Sequence, residues 1–171
     1  MIALGIDPGS RRTGWGLVRQ EGSQLVLLDV GILRPPEKQP LQQRLAQLHA
    51  ELAGLLSTFQ PDVVGLETVF HGPNTRSLVT LGQARGSLMA AIGAVRCDLI
   101  ELSPAEIKKS VTGKGSATKE QVAHMVGALL GVQATERSEQ LGKVACHDAT
   151  DAMAVAVAVL HRGTMQALQR A

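Results

Sequence analysis

Four acidic residues are the groups in this chain whose types and spacing suggest chemistry. Asp7 ends an apolar run, Glu67 ends a second run of Val, Val, Gly and Leu, and Asp148 and Asp151 lie three residues apart. The last spacing puts two carboxylates on one helical face. Carboxylates are hard oxygen ligands, and four suffice for two Mg²⁺ or Mn²⁺ ions that assist phosphodiester cleavage. Without cations, such crowding would raise their pKa values.

Each of these acids except Glu67 also has an ordinary structural explanation. Asp7 opens an Asp-Pro-Gly turn, a sequence that forms tight turns without any catalytic role. Asp148 stands near a predicted helix start, where a negative charge is stabilising. Glu67 closes an otherwise apolar strand and has no comparable role. The catalytic interpretation therefore depends on the four residues meeting at one site.

The elements that must position these acids follow from apolar periodicity and from turn residues. An antiparallel meander is followed by alternating helices and strands, which favours an α/β fold: a five-stranded mixed sheet with helices on both faces. If the strands ending at Asp7 and Glu67 are parallel neighbours, their ends converge on one sheet edge. The predicted strands are 2–7, 13–19, 24–33, 62–67 and 99–102, and the predicted helices are 41–58, 75–94, from Pro104, from about Thr118, and 147–160. The helix from Pro104 is predicted by a capping box, with Ser103 as N-cap and Glu106 as third helical residue.

A basic stretch lies between the predicted strands and the last helix. Lys108, Lys109, Lys114 and Lys119 fall in a segment without an acidic residue, although the net charge of the chain is only +2. Such a face can bind phosphates. A solvated surface without a partner is the alternative interpretation.

Length and composition limit the remaining possibilities. The 171 residues suit a single domain, predicted over 1–163, with a frayed tail over 164–171. Cys97 and Cys146 lack a CxxC spacing, as expected for a reduced cytoplasmic protein. The N-terminus has no basic segment of a signal peptide, and the longest apolar run, 152–160, is shorter than the about 20 residues that span a bilayer. A soluble protein is expected.

Four motifs in order resemble those of the RuvC crossover-junction endonucleases. They are GIDPGSRRTGWG at 5–16, ETVF at 67–70, LGQARG at 81–86 and DATDA at 148–152, and the similarity extends over about 1–161. The resemblance implies a ribonuclease-H-like fold and a homodimer. It also implies an enzyme that places symmetric nicks across a Holliday junction in DNA recombination and repair, with the branch-migration proteins RuvA and RuvB as partners.

The resemblance also assigns roles to individual residues. It implies that Asp7, Glu67, Asp148 and Asp151 form the metal-binding catalytic centre, that Lys108 and Lys119 contact DNA, and that Phe70 stacks on DNA near the cut. Phe70 lies in a polar turn, where an exposed ring can wedge between unstacked bases. Packing of Phe70 onto the following helix is the alternative. The aromatic rings of Trp15 and Phe59 fall in regular elements and are predicted to pack in the core.

Two features depart from the family pattern. The segment Thr135 to Cys146 is longer and more charged than expected before the final acidic pair. His147 directly precedes Asp148, at whose position some relatives carry histidine. His147 is a candidate metal ligand or proton acceptor, and an ordinary surface histidine is the alternative.

Two other functions are consistent with parts of the sequence. The segment GIDPGSRRTG also resembles the phosphate loop of actin-like and sugar-kinase ATPases, but those proteins need a second, adenosine-binding lobe, for which 171 residues leave no room. A DNA-binding module without catalysis is the other alternative. It predicts that Asp7→Asn or Asp151→Asn leaves junction binding and biological activity intact.

Overall fold

A computed structural model describes residues 1–68, 75–131 and 147–170, with side chains described to residue 163. Its five strands form one mixed sheet, as predicted, in the order β3-β2-β1-β4-β5. The strands are β1 (Ile2–Asp7), β2 (Thr13–Glu21), β3 (Gln24–Leu33), β4 (Val63–Glu67) and β5 (Asp98–Leu102). The described helices are α1 (Leu41–Phe59), α2 (Thr75–Gly93), α3 (Pro104–Thr112), α4 (Lys119–Leu130) and α5 (His147–Arg170).

The sheet is mixed, and its parallel part brings the first and fourth strands together. β1 pairs antiparallel with β2 and parallel with β4, and Ile6 lies opposite Leu66 in the second of these pairings. Asp7 and Glu67 are each one residue further along their strands. Both acids therefore reach the same edge of the sheet, as the sequence predicted.

Helices cover both faces of the sheet. Leu4 and Ile6 of β1 pack in a core with buried leucines of α1 and α2. Ala3 packs on the opposite face, in a core with α3, α4 and α5. The strand period of two produces this division, because alternate residues of one strand point to opposite faces.

Glycines allow α5 to lie very close to the sheet. Gly5 of β1 is in register with Gly16 of β2 and Gly65 of β4, which makes a row without side chains across three strands. A Cβ atom added to Gly5 would overlap the carbonyl oxygen of Ala152, and one added to Gly16 would lie 2.9 Å from Cγ of Met153. The row fixes the depth of α5 and thereby the position of the acids at its start.

The last helix is longer than predicted. It continues to Arg170, whereas the sequence indicated an end near 160. Gly163, the last residue of the predicted domain, lies inside the helix, where a Cβ atom would be 3.0 Å from the methyl group of Met1. A frayed tail over 164–171 remains a prediction.

Local predictions about caps and aromatic packing are confirmed. Ser103 and Glu106 form a capping box at the start of α3. Trp15 is 6% exposed, and its ring centroid lies 5.9 Å from that of Phe59. Cys97 is half-buried, whereas Cys146 lies outside the described residues. None of the helices described has the length and apolar character needed to cross a membrane.

Candidate active site

The four predicted acids line one cleft. It has a volume of about 420 Å³ and lies beyond the ends of β1 and β4, where α3, α4 and α5 meet. Lys108 and Lys119 also line it. The lining residues are Asp7, Pro8, Glu67, Thr68, Leu81, Pro104, Ile107, Lys108, Lys119, Val122, Asp148, Asp151 and Ala154. The tertiary structure therefore brings together the carboxylates and two of the lysines that the sequence selected.

Asp7 and Glu67 are the most perturbed pair. Strand alternation places Asp7 on the same face as Gly5, and Glu67 on the same face as Gly65, so both carboxylates lie on the side of the sheet that α5 covers. Burial, followed by the charges of Glu67 and Asp151, raises the pKa of Asp7 to about 8. The pKa of Glu67 is also raised, because the effect of burial exceeds that of the hydrogen bond with the side chain of Asp7, which lowers it. The pair therefore retains a proton near neutral pH.

Asp148 and Asp151 reach the cleft from the first turn of α5. Gly14 of β2 packs against the carbonyl group of Asp148, so the start of the helix is held against the sheet beside Asp7. Asp151 Oδ2 lies 3.5 Å from the ammonium nitrogen of Lys119. The glycine row and Gly14 therefore determine how near the helical acids come to the strand acids.

The two lysines approach the cleft from separate helices. Lys108 belongs to α3, and Lys119 is the first residue of α4, whose N-cap Thr118 forms a second capping box with Gln121. Among the smaller influences on Glu67, both ammonium groups lower its pKa, which indicates that both lie near that carboxylate. The caps fix the starts of the helices and so the positions of the lysines.

The donor set fits a hard divalent cation. All four acids offer oxygen ligands, and the pKa of Asp7 is raised first by burial and then by the neighbouring negative charges of Glu67 and Asp151. Among the described residues, no three His, Cys, Asp or Glu side chains are already gathered around a single point that could hold an ion. A cation held by three or more of these acids would therefore have to draw their carboxylates closer together.

Other predicted residues lie away from the cleft or outside the described part of the chain. His147 is exposed at the start of α5, near Glu120, and does not line the cleft. Lys109 and Lys114 do not line it either. Phe70 and the segment 135–146 fall outside the described residues. Roles for Phe70 and His147 therefore remain predictions.

Arg85 is a residue that sequence reasoning missed. It extends from α2, on the far face of the sheet, and its Nε donates a hydrogen bond of 3.2 Å to the backbone carbonyl of Glu67. Its Nη2 forms an ion pair with Glu101 of β5. The arginine thus connects α2 to the end of β4. Its place in the LGQARG motif was the available signal, but the motif alone does not reveal the contact.

The sheet, the covering helices and the acid-lined cleft define a ribonuclease-H-like protein with a site suited to metal ions. Solved structures share this fold. The Thermus thermophilus RuvC structure matches with a TM-score of 0.83 and 28% identity over 97% of each chain. A structure of T. thermophilus RuvC in complex with Holliday junction substrate matches with a TM-score of 0.83 and 25% identity over 96% of each chain.

Sequence comparison gives the family. The family model described as Crossover junction endodeoxyribonuclease RuvC matches residues 3–161. A relative of that name from Chlorobaculum parvum is 41% identical over 95% of this chain and 83% of its own length, and one from Aliivibrio fischeri is 44% identical over 92% of each. The chain belongs to the RuvC family. It is accordingly a nuclease, and therefore a hydrolase, as its motifs predicted.

Proposed function

We propose that this chain resolves Holliday junctions with Asp7, Glu67, Asp148 and Asp151 as its metal-binding catalytic centre. The observation that carries the proposal is the meeting of these acids in one cleft, from two parallel strand ends and the first turn of α5. Nucleases of this family are metal-dependent. Membership of a nuclease family argues against the ATPase alternative.

The acids would hold Mg²⁺ or Mn²⁺, and four carboxylates are enough for two ions. When bound, the ions supply Lewis-acid polarisation of the phosphate and lower the pKa of a coordinated water. The residues of the chain prepare the site for them. The proton retained by Asp7 and Glu67 has to leave before both carboxylates can act as ligands, so cation affinity should rise with pH up to about pH 8.

Lys108 and Lys119 are the proposed phosphate contacts beside the acids. Both line the cleft, and the side chain of Lys119 is 69% exposed, so its ammonium group can exchange Asp151 for a DNA phosphate. A cationic group at the rim offsets the repulsion between a phosphate and the carboxylates. Phe70 is proposed to stack on bases near the cut.

Symmetric cutting requires two active sites. We therefore propose that the chain acts as a homodimer that places one nick on each side of the junction, alongside the RuvA and RuvB branch-migration proteins. The T. thermophilus relative has been solved with a Holliday junction substrate, which supports the four-way junction as the DNA bound by this chain.

The test uses a synthetic four-way junction and linear duplex of the same sequence, each with Mg²⁺, Mn²⁺ or EDTA. We expect symmetric nicks in the junction when Mg²⁺ or Mn²⁺ is present, and no nicks in EDTA. Asp7→Asn and Asp151→Asn should retain junction binding and lose cutting, whereas Glu37→Gln, which neutralises an exposed acid in a turn, should cut normally. Normal nicking by Asp7→Asn would contradict the catalytic role. Binding without cutting under every condition would favour the DNA-binding module instead.

A further inference from the structure

Two adjacent arginines lie in the loop between β1 and β2, three and four residues after Pro8. Arg11 and Arg12 are both exposed. Within the described residues, neither guanidinium group has a hydrogen bond or an ion pair. Two adjacent cations without a partner are free to bind an anion. The basic stretch at 108–119 does not include them, and the catalytic centre proposed above does not use them.

The loop that carries these arginines is held in a fixed shape. Thr13 is fully buried, and its hydroxyl group donates a hydrogen bond of 2.9 Å to the carbonyl of Gly9 and accepts one of 3.2 Å from the amide of Gly9. Arg44 of α1 donates a hydrogen bond to the carbonyl of Ser10. The backbone of the loop is therefore anchored at both ends. An anchored backbone reduces the conformational entropy that Arg11 and Arg12 lose when they bind a ligand.

The position of the loop relates it to the cleft. Pro8 lines the cleft next to Asp7. The loop connects β1 to β2, so it lies on the β2 side of Asp7, whereas Glu67 ends β4 on the other side. Lys108 and Lys119 enter from α3 and α4. A DNA strand that places one phosphate among the carboxylates would thus meet cations of three separate elements, namely α3, α4 and the loop between β1 and β2.

We propose that Arg11 and Arg12 form a second phosphate-binding surface, which holds the DNA strand on the β2 side of Asp7. A guanidinium group suits this task because it binds two phosphate oxygens at once. The surface also offsets the repulsion between DNA and the four carboxylates. This inference rests on the proposed function, since it assumes that DNA enters the cleft.

The first experiment measures junction affinity in EDTA over a range of salt concentrations, so that no cutting is needed. Each phosphate contact contributes about 0.9 to the slope of log affinity against log salt. The double variant Arg11→Ala/Arg12→Ala should therefore lose up to about 2 from that slope. Arg11→Lys/Arg12→Lys should restore most of the slope, because it retains both charges. The matched control is Arg96→Ala/Arg162→Ala, which removes two exposed arginines outside the cleft and should leave the slope of the wild type.

A second experiment locates the phosphates. Methylphosphonate groups, which are uncharged, replace single phosphates of the junction. The wild type should bind the junction more weakly when the replaced phosphate is one that the arginine surface binds, and also when it is one that the lysines bind. In the Arg11→Ala/Arg12→Ala variant, methylphosphonate substitution should no longer reduce affinity at the first set of phosphates but should still do so at the second. In the Lys108→Ala/Lys119→Ala variant, the reverse is expected. An unchanged salt slope together with an unchanged methylphosphonate pattern would overturn the inference. Failure of the wild type to cut any junction would instead contradict the proposed function, because the binding measurement does not depend on cutting.

Discussion

The metal-free protein should become less stable as the pH rises, because Asp7 is ionised only at a cost in the folded state. Its pKa is about 8 in the fold, against an ordinary value of 3.8. Between these values the folded chain binds more protons than the unfolded chain, so the free energy of unfolding falls with increasing pH. The stabilising contribution is complete below about pH 4 and is lost as the pH passes about 8.

Asp7→Asn removes this dependence, because an amide does not ionise. At 1.36 kcal/mol for each pKa unit, the difference between 3.8 and about 8 corresponds to about 6 kcal/mol as an upper limit. That is a large part of the about 5 to 15 kcal/mol that stabilises a typical domain. The variant should therefore equal the wild type near pH 4 and be more stable by several kcal/mol near pH 8.

The assay is urea unfolding in EDTA at a series of pH values, for the wild type, for Asp7→Asn and for the control Glu37→Gln. Glu37→Gln removes one exposed negative charge and should follow the pH dependence of the wild type. Added Mg²⁺ should narrow the gap between the wild type and Asp7→Asn, since a cation bound to the carboxylates stabilises the folded state. Parallel curves for the wild type and Asp7→Asn from about pH 4 to about pH 8 would refute the reasoning.

Three further substitutions test the parts that position the site. Gly5→Ala should reduce the free energy of unfolding by about 3 kcal/mol or more, because its methyl group overlaps the backbone of α5 at Ala152; a loss below about 1 kcal/mol in urea unfolding would show that α5 can move away. Arg85→Gln should weaken Mn²⁺ binding in calorimetry while junction affinity in EDTA is unchanged, since it releases the carbonyl of Glu67; equal metal affinity would make Arg85 purely structural. Ser103→Ala should reduce the free energy of unfolding by about 1 kcal/mol, because the α3 cap is lost, whereas Ser103→Thr should keep most of the stability that the cap provides. Equal losses of stability for the two variants in thermal unfolding would contradict the role of the cap.

Local order was readable from the sequence. Apolar alternation and turn residues located β1 and β3 at the residues where the structure has them, and the Ser103 and Glu106 pair indicated the start of α3. These signals are local, because the side-chain period of a strand and the hydrogen bonds of a cap depend on residues within a few positions. For the same reason, local sequence patterns are enough to predict that Asp7 and Glu67 lie at the ends of strands.

The full length of α5 does not follow from local sequence signals. The apolar run ends at Leu160, and this ending predicts the end of the helix near that residue. In the structure the helix passes through Gly163, which lies against Met1. A contact with a residue so distant in sequence has no local signal.

The sequence by itself determined which residue types stand at the ends of the strands and at the start of α5. Only the tertiary structure decided how close they come. The row of Gly5, Gly16 and Gly65 exists only when three strands are in register, and it sets the depth of α5. The raised pKa of Asp7 follows from that approach, because burial and neighbouring charges depend on distances between segments far apart in the chain.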